Sequence, residues 1–564
     1  MSLFGSIQLA GNSLQATQLG LQVTGQNIAN ANTPGYLREQ LATTPQPGQK
    51  YGDFTIGLGV QVLGVVQQVD DLLEGRLRNA NSDAQNSSTQ SDAYKQLEGV
   101  TGDLTKTGVG ASLNTFFSSI SDVLNQPNSV PVRNQAVLQG QALVSNISSL
   151  ATRAAQLQSD INQQLGGAAD QINTLLSKIA TLNVQIAGVQ SGNPQSNAAV
   201  GLSDQRNQAL QDLSQLTNVT VEKQPDGTLN ILAGGDLLVY GGTAKQVKTV
   251  SASVNGRTAD SIEVVESQST LKSTSGKVAG LVAARDQVLG GYLDQLNSLT
   301  GTIINEFNKA FSTGQGLNGY SQITSQNAVH SAFTPLDASG LPFTPVNGSF
   351  QLLVKNQTTG QTATTNIQVQ LHGLAGDTSL NDIATQINAV AGVSASVANG
   401  KLTIKSAGSD QQIAFANDTS GALAALGLNT FFTGKDAFSI GVNADIQSDP
   451  SKFAASRGGI GADTQGASLL ANFMNHPLDS QNGATLATLY DHVASSVAQG
   501  SALAKSVATT DSTFQQTLSS QHLAVSGVNI DEEAVNLIQY QATYQASAKY
   551  ISTLTTLLNT LVQL

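Results

Sequence analysis

The chain contains no cysteine and no tryptophan, and only 11 % of its 564 residues are charged. Without cysteine, the protein cannot form disulfides, use a catalytic thiol or bind zinc through cysteine. No apolar run reaches the length of about 18 residues that a membrane helix needs. We expect no cleavable secretory signal, because no apolar segment flanked by Lys or Arg opens the chain. The formal charge of −12 argues against a nucleic-acid partner, because such partners favour a basic surface.

Uncharged polar residues take the place of the missing charges. A surface with few charges lacks strong long-range repulsion, which suits a subunit that packs against copies of itself. Secreted adhesins share this composition, so a surface-binding protein is an alternative interpretation. The length predicts more than one domain.

Both ends of the chain carry narrow apolar stripes with heptad spacing. A helix over residues 3–28 would place the first stripe on one face, and a helix from Ile530 would do the same for the second. Such helices are unstable alone, so we expect them to pair as a coiled coil with each other and with other copies. The residues predicted at this subunit interface are Leu3, Ile7, Leu14, Leu21, Ile28, Ile530, Leu537, Tyr544, Ile551 and Leu558.

A cluster of turn-forming residues follows the first stripe. Pro34 has no N–H and disfavours helical geometry in Thr33, and Gly35 then permits a turn. From physics alone, this is an ordinary helix stop. The residues predicted to form the stop are Asn30, Asn32, Thr33, Pro34, Gly35 and Tyr36.

The interior of the chain divides by periodicity. Residues 33–332 and 441–525 have mainly helical patterns, with a hairpin predicted at Pro225-Asp226-Gly227. Over residues 143–189 the apolar positions repeat with helical spacing, and this repeat shifts by one residue near Gly166-Gly167. Either a straight helix or a break at the glycines would produce the shift.

Residues 333–440 have a different pattern. Prolines in residues 333–345 predict a linker. Beyond it, alternating residues flank Asn399-Gly400 as in a hairpin, and Ser379 with Asp382 predicts a capping box. We also expect Asn529 and Glu532 to cap the last helix.

The predicted fold class is therefore mainly α with β. Its parts are a terminal coiled-coil domain (1–32 and 526–564), an elongated helical-bundle body with β-hairpins (33–332 and 441–525), and an inserted α+β domain (333–440).

Motifs for catalysis are weak. Gly314–Gly319 matches GxGxxG, but a predicted helix precedes it, whereas a dinucleotide site requires a strand. The five histidines show no metal-binding spacing. The sequence predicts no enzyme activity, no cofactor and no metal site. If the glycine motif did mark an enzyme, titration with dinucleotides would reveal binding.

Several segments resemble one family. Asn27–Tyr36 resembles the N-terminal signature of bacterial flagellar rod, hook and hook-associated proteins, and residues 526–533 with 540–549 resemble the C-terminal signature. Residues 204–210, 218–222 and 426–434 resemble internal segments of the hook-associated members. The resemblance implies a structural subunit that joins the flagellar hook to the filament and polymerises through paired terminal helices.

The resemblance also implies partners and a location. The partners would be copies of the chain in a helical or ring assembly, the flagellar hook protein and the second hook–filament junction protein. An export chaperone would bind the C-terminal helix, and the flagellar export apparatus would carry the chain from the cytoplasm to the extracellular junction. An adhesin would instead bind a receptor through residues 333–440 and be dispensable for motility.

Overall fold

A computed structural model of the chain describes residues 3–51, 54–102, 108–190, 197–254, 256–374, 376–461 and 463–563. The chain forms two compact units. Unit 1 comprises Met1–Ala93, Ser159–Arg285 and Ala502–Leu564, and unit 2 comprises Tyr94–Gln158 and Asp286–Ser501.

The α-helices of the described residues account for most of the secondary structure. A π-helical turn, Ala284–Leu289, lies between the sixth and seventh helices. In chain order the helices are α1 (Leu3–Asn30), α2 (Asp71–Thr101), α3 (Val109–Asn125), α4 (Val130–Gln190), α5 (Asn197–Leu216), α6 (Gly276–Ala283), α7 (Gly290–Ser312), α8 (Leu380–Asn388), α9 (Ala422–Leu426), α10 (Ala444–Ser448), α11 (Gln465–Ala471), α12 (Leu486–Ser526) and α13 (Ile530–Gln563).

The strands form small antiparallel sheets. In chain order the strands are β1 (Glu39–Pro45), β2 (Gln49–Tyr51), β3 (Phe54–Ile56), β4 (Val60–Gln67), β5 (Thr220–Lys223), β6 (Leu229–Ala233), β7 (Asp236–Tyr240), β8 (Thr243–Ala244), β9 (Val247–Val254), β10 (Arg257–Val264), β11 (Ser269–Thr270), β12 (Gln322–Thr324), β13 (Gly348–Asn356), β14 (Thr362–Val369), β15 (Val393–Ala398), β16 (Lys401–Ser406), β17 (Gln411–Ala416), β18 (Phe432–Thr433) and β19 (Gly441–Val442). The strand orders within the sheets are β1-β4, β2-β3, β5-β6-β7-β8, β11-β10-β9, β12-β16-β15, β14-β13-β17 and β18-β19.

Unit 1 confirms the predicted pairing of the two chain ends. Helices α1 and α13 pack along each other, and the β1–β4 hairpin lies against α1. The predicted hairpin at Pro225-Asp226-Gly227 joins β5 to β6, where Gly227 has a φ of 81° and Asp226 accepts hydrogen bonds from Thr228. Helix α4 runs through Gly166 and Gly167 without interruption, so the slip in its pattern reflects a straight helix.

A buried asparagine and a buried arginine anchor this four-stranded sheet to the helices. Asn183 on α4 donates to the carbonyls of Leu229 and Gly241, and its side-chain oxygen accepts from Arg206 on α5 at 2.9 Å. Arg206 also donates to the carbonyl of Gly227. These bonds hold the predicted hairpin against α4 and α5.

Unit 2 contains a core of phenylalanines. Their ring centroids lie 4.8–6.1 Å apart, within the range of favourable aromatic pairs. Arg133 on α4 is fully buried in this unit and donates to the carbonyls of Pro127 and Phe453. The phenylalanines are Phe116, Phe117, Phe307, Phe311, Phe431, Phe432, Phe453 and Phe473.

An α+β module within unit 2 contains the features predicted for the inserted segment. Ser379 and Asp382 form the expected capping box at α8, and Asn399-Gly400 joins β15 to β16 with both φ angles positive. The module core begins upstream of residue 333, because Tyr320 is buried in it and β12 pairs with β16. The linker prediction for residues 333–345 is wrong, since Leu336 is buried in the same core.

Candidate functional site: the junction of the chain ends

The face of α1 that meets α13 consists of small and polar residues. A Cβ placed on Gly20 would lie 2.7 Å from the ring of Tyr540, so only glycine permits this approach. Ser13 Oγ lies 3.2 Å from Ser547 Oγ. Spacing by 4 and 3 continues this face through Ser6, Ala10, Ser13, Thr17, Gly20, Thr24 and Asn27.

The predicted interface residues lie beside this face. Leu3, Ile7, Leu14, Leu21 and Ile28 are half-buried on α1, as are Leu537, Ile551 and Leu558 on α13. Tyr544 and Ile530 are 37 % and 51 % exposed. Glu533 and Leu554 are the buried positions of α13 instead. Whether the predicted residues contact other subunits stays a prediction.

Sequence reasoning missed the Gly20–Tyr540 contact. Ser6, Ser13, Gly20 and Asn27 are also spaced by seven residues, and this second heptad row was the available signal. A search for apolar periodicity passes over this row because none of its members is apolar.

The helix stop forms where it was predicted. Helix α1 ends at Asn30, whose carbonyl accepts a hydrogen bond from the Thr33 N–H at 2.8 Å. Gly35 has a φ of 79°, and a Cβ there would lie 2.6 Å from Gln208 Oε1 on α5. The turn that contains Pro34 therefore docks tightly on α5, while Asn32 is exposed.

Asn27 connects this turn to strand β1 and to helix α13. Its side-chain amide accepts a hydrogen bond from the Glu39 N–H at 3.0 Å and donates one to the Glu39 carbonyl at 2.9 Å. Tyr36 Oη also donates to Asn27 Oδ1 at 2.9 Å. Asn27 Nδ2 also donates to Glu533 Oε2 at 3.2 Å. Because Asn27 is 1 % exposed, these bonds satisfy an otherwise costly buried amide.

Arg38 connects the start of the chain to its end. Its guanidinium contacts Glu533 at 2.7 Å and Glu532 at 2.8 Å, and its backbone N–H donates to the Ser526 carbonyl. Glu532 is thus an arginine partner and not part of a capping box, because Asn529 Oδ1 accepts from the Asp531 N–H. The sequence contained a signal for this role, since Arg38 is its first charged residue.

The surroundings of the turn are negatively charged. Burial raises the pKa of Asp204 to about 7, and the nearby charge of Glu39 adds to the effect. Burial also raises the pKa of Glu39. The pKa of Tyr36 is raised by burial and further by Glu39, Asp204 and Glu533. The acidic groups therefore converge where the helix stop meets α5.

The described residues form little that resembles an active site. Gly314–Gly319 follows α7, as predicted, and a Cβ on Gly316 would lie 2.4 Å from the Ser451 carbonyl oxygen. These glycines thus permit close packing against the protein backbone. Within the described ranges, no group of three His, Cys, Asp or Glu residues could hold a metal ion. No helix built from the described residues is long and apolar enough to cross a membrane.

Three family models match different parts of the chain. The model of the flagellar hook-associated protein FlgK helical domain matches residues 94–325. The flagella basal body rod protein model matches residues 7–36, and the flagellar basal body rod FlgEFG protein C-terminal model matches residues 519–564. The two rod models cover most of α1 with its stop and all of α13.

Whole-chain comparisons agree with the family models. Flagellar hook-associated protein 1 of Escherichia coli is 26 % identical over 99 % of both chains. The protein of the same name from Bacillus subtilis is 28 % identical over 72 % of this chain and 82 % of its own. The structure of the flagellar hook junction protein FlgK from Burkholderia pseudomallei has the same fold, with a TM-score of 0.53 and 17 % identity, over 80 % of this chain and all of that one.

The paired chain ends and these matches define a structural protein of the bacterial flagellum. Within that class, the chain belongs to the flagellar hook-associated protein 1 family. Its relatives are structural flagellar proteins, and their likeness to this chain gives no support to the adhesin alternative.

Proposed function

We propose that the chain is a subunit of the junction between hook and filament, and that it polymerises through its paired terminal helices. The observation that carries this proposal is the incomplete burial of α13. Only Glu533 and Leu554 are buried among its described residues, although the helix spans 34 residues. A helix with so little burial gains most of its stability from further packing partners.

Apolar side chains on the exposed part of α13 provide a surface for such partners. They are too large and too numerous for a helix that remains in solvent, and other copies of the chain would cover them. The half-buried seam Leu14, Leu21 and Ile28 would lie at the edge of the same contact. The exposed residues include Val535, Ile538, Leu557, Leu561 and Val562, at 50–78 % exposure.

The finer assignments are part of the same proposal. The hook protein would bind below and the second junction protein above, with copies of this chain beside each subunit. The flagellar export apparatus would carry the chain to the extracellular junction, and a chaperone would cover α13 in the cytoplasm. The terminal domain (1–32 and 526–564) would form the inner layer of the assembly. The body (33–332 and 441–525) and the insert (333–440) would lie farther out.

Substitution on α13 tests the proposal. In a strain that lacks the chromosomal gene, we expect a variant with Ile538→Ser and Leu557→Ser to give hooks without filaments in electron micrographs. Both side chains are at least half exposed, so thermal unfolding of the purified monomer should not change.

Phe333→Ser is the matched control, because Phe333 is an apolar residue of unit 2 that is 79 % exposed. Its flagella should be normal. Intact filaments and normal swimming with the α13 variant would contradict assembly through this helix.

A further inference from the structure

Two carboxylates meet at a cleft beside the helix stop. The cleft has a volume of about 450 Å³, and its lining includes Asn30, Tyr36, Glu39, Asp204 and Gln208. Glu39 is only 7 % exposed, and its Oε2 has no hydrogen-bond partner among the described residues. A buried carboxylate oxygen without a partner is costly, so it indicates that something else occupies this position.

Among the described residues of unit 1, no ion pair balances Glu39 or Asp204. Asp204 accepts hydrogen bonds from Gln67 and from the Leu37 N–H, and both donors are neutral. Arg38 is engaged by Glu532 and Glu533. Lys178 is the basic residue among the described lining residues, and no ion pair joins it to Glu39 or Asp204.

We propose that this cleft binds a calcium ion, with Glu39 and Asp204 as its charged ligands. Ca²⁺ takes six to eight oxygen ligands from carboxylates, amide carbonyls and water, and it tolerates irregular geometry. The side-chain amides of Asn30 and Gln208 supply oxygens of this type at the cleft. Mg²⁺ demands near-ideal octahedral geometry and gives up its water reluctantly, so the mixed set of groups favours calcium.

The ion would join two segments that are far apart in sequence. Glu39 opens β1 directly after the turn, and Asp204 lies on α5. Calcium between them would fasten the end of α1 to α5 within unit 1, and it would remove the cost of two uncompensated carboxylates. The site does not depend on how subunits assemble, so it can be tested on the monomer.

The experiment uses the full-length monomer in chelator-treated buffer. We expect isothermal titration with CaCl₂ to show one saturable site, with affinity for Mg²⁺ at least about tenfold weaker. Tb³⁺ used as a probe should give saturable luminescence on excitation of tyrosine, because Tyr36 lines the cleft, and added Ca²⁺ should quench it.

Four variants test the site, two of them at the proposed ligands. Glu39→Gln and Asp204→Asn should each weaken Ca²⁺ binding at least about tenfold, because ligand charge sets affinity. Glu222→Gln, at an exposed residue of β5 in the same unit, should leave the affinity unchanged. Lys178→Met should tighten binding, because it removes a repelling charge at the cleft.

Several results would overturn the proposal. The absence of both titration heat and saturable terbium luminescence in the wild-type chain would exclude the site. Equal affinities for Glu39→Gln, Asp204→Asn and Glu222→Gln would place the ion elsewhere, and equal affinity for Mg²⁺ would exclude the assignment of calcium. If Glu39→Gln has an altered circular dichroism spectrum, the Ca²⁺ affinity of Asp204→Asn decides whether the proposal stands.

Discussion

Arg38 and Glu533 are 495 residues apart in sequence, yet the guanidinium of one contacts the carboxylate of the other at 2.7 Å. Their side chains are 15 % and 3 % exposed, so the pair is largely withdrawn from water. Glu532 and Asn27 complete the group. This contact positions the first turn of α13 beside the strand that follows α1.

Removal of Arg38 should release the beginning of α13. Arg38→Met leaves the Glu533 carboxylate buried without its cation, which costs about 3–5 kcal/mol in comparable pairs. Hydrogen exchange in the first turns of α13 should accelerate accordingly. The double variant with Glu533→Gln should exchange more slowly than Arg38→Met alone, because the uncompensated charge is gone. Equal exchange in both variants would show that the charge pair does not hold the helix.

Gly20→Ala should force the terminal helices apart. The new Cβ would lie 2.7 Å from the Tyr540 ring, and overpacking of this kind costs about 1–3 kcal/mol. We expect faster hydrogen exchange along α13, with recovery when Tyr540→Ala is added. Gly11→Ala and Gly25→Ala are the controls, because a Cβ at either position meets open space. Both should stabilise α1 by about 1 kcal/mol, and destabilisation by them would refute the steric explanation.

Asp204 should make unit 1 less stable as the pH rises. Its pKa is about 7 in the folded protein against an ordinary value of 3.8, so the folded state binds the proton more tightly. This contribution is fully present below about pH 4 and is lost as the pH rises to about 7. Because Asp204 is partly exposed, solvent screening reduces this contribution below the roughly 4 kcal/mol that the full shift would give.

Asp204→Asn removes the titrating group and should flatten this pH dependence. Urea unfolding between pH 4 and 8, with a chelator present, measures the effect on unit 1. An unchanged slope in the variant would mean that another group causes the dependence.

Arg133 should be essential for the stability of unit 2. It is fully buried, and its partners are the carbonyls of Pro127 and Phe453. Burial lowers the pKa of Arg133 to about 10, so it remains charged at neutral pH. Arg133→Leu leaves these carbonyls without their hydrogen-bond donor. The free energy of unfolding should fall by about 3 kcal/mol or more, because hydrogen bonds to a charged group are strong.

Thermal unfolding of unit 2 is the measurement for Arg133→Leu. The control is Arg153→Leu on the exposed side of α4, which should change stability by less than about 0.5 kcal/mol. Similar melting of the two variants would contradict a special role for Arg133.

Features specified by neighbouring residues were predicted well. The Asn399-Gly400 hairpin, the Ser379–Asp382 capping box and the stop after α1 formed as expected. Each depends on backbone preferences and side chains within a few residues. The linker prediction failed for the converse reason, because prolines mark irregular backbone but do not reveal that Leu336 enters a core.

The terminal helices show a limit of apolar periodicity, which does not identify the helix face that makes the contact. Two adjacent heptad rows run along α1, one apolar through Leu14 and Leu21, and one of small residues through Ser13 and Gly20. Periodicity favours the apolar row, but the row with Gly20 meets α13, because a small residue lets the Tyr540 ring approach. Amphipathicity alone cannot identify this row.

Residue spacing by itself established that the two ends of this chain are helices that need partners, because an apolar stripe with heptad period has no other stable use in water. Packing in three dimensions selected the face that each helix uses, joined Arg38 to Glu533, and brought Glu39 to Asp204. Those contacts link residues far apart in sequence, and their energies depend on burial, which no local pattern encodes.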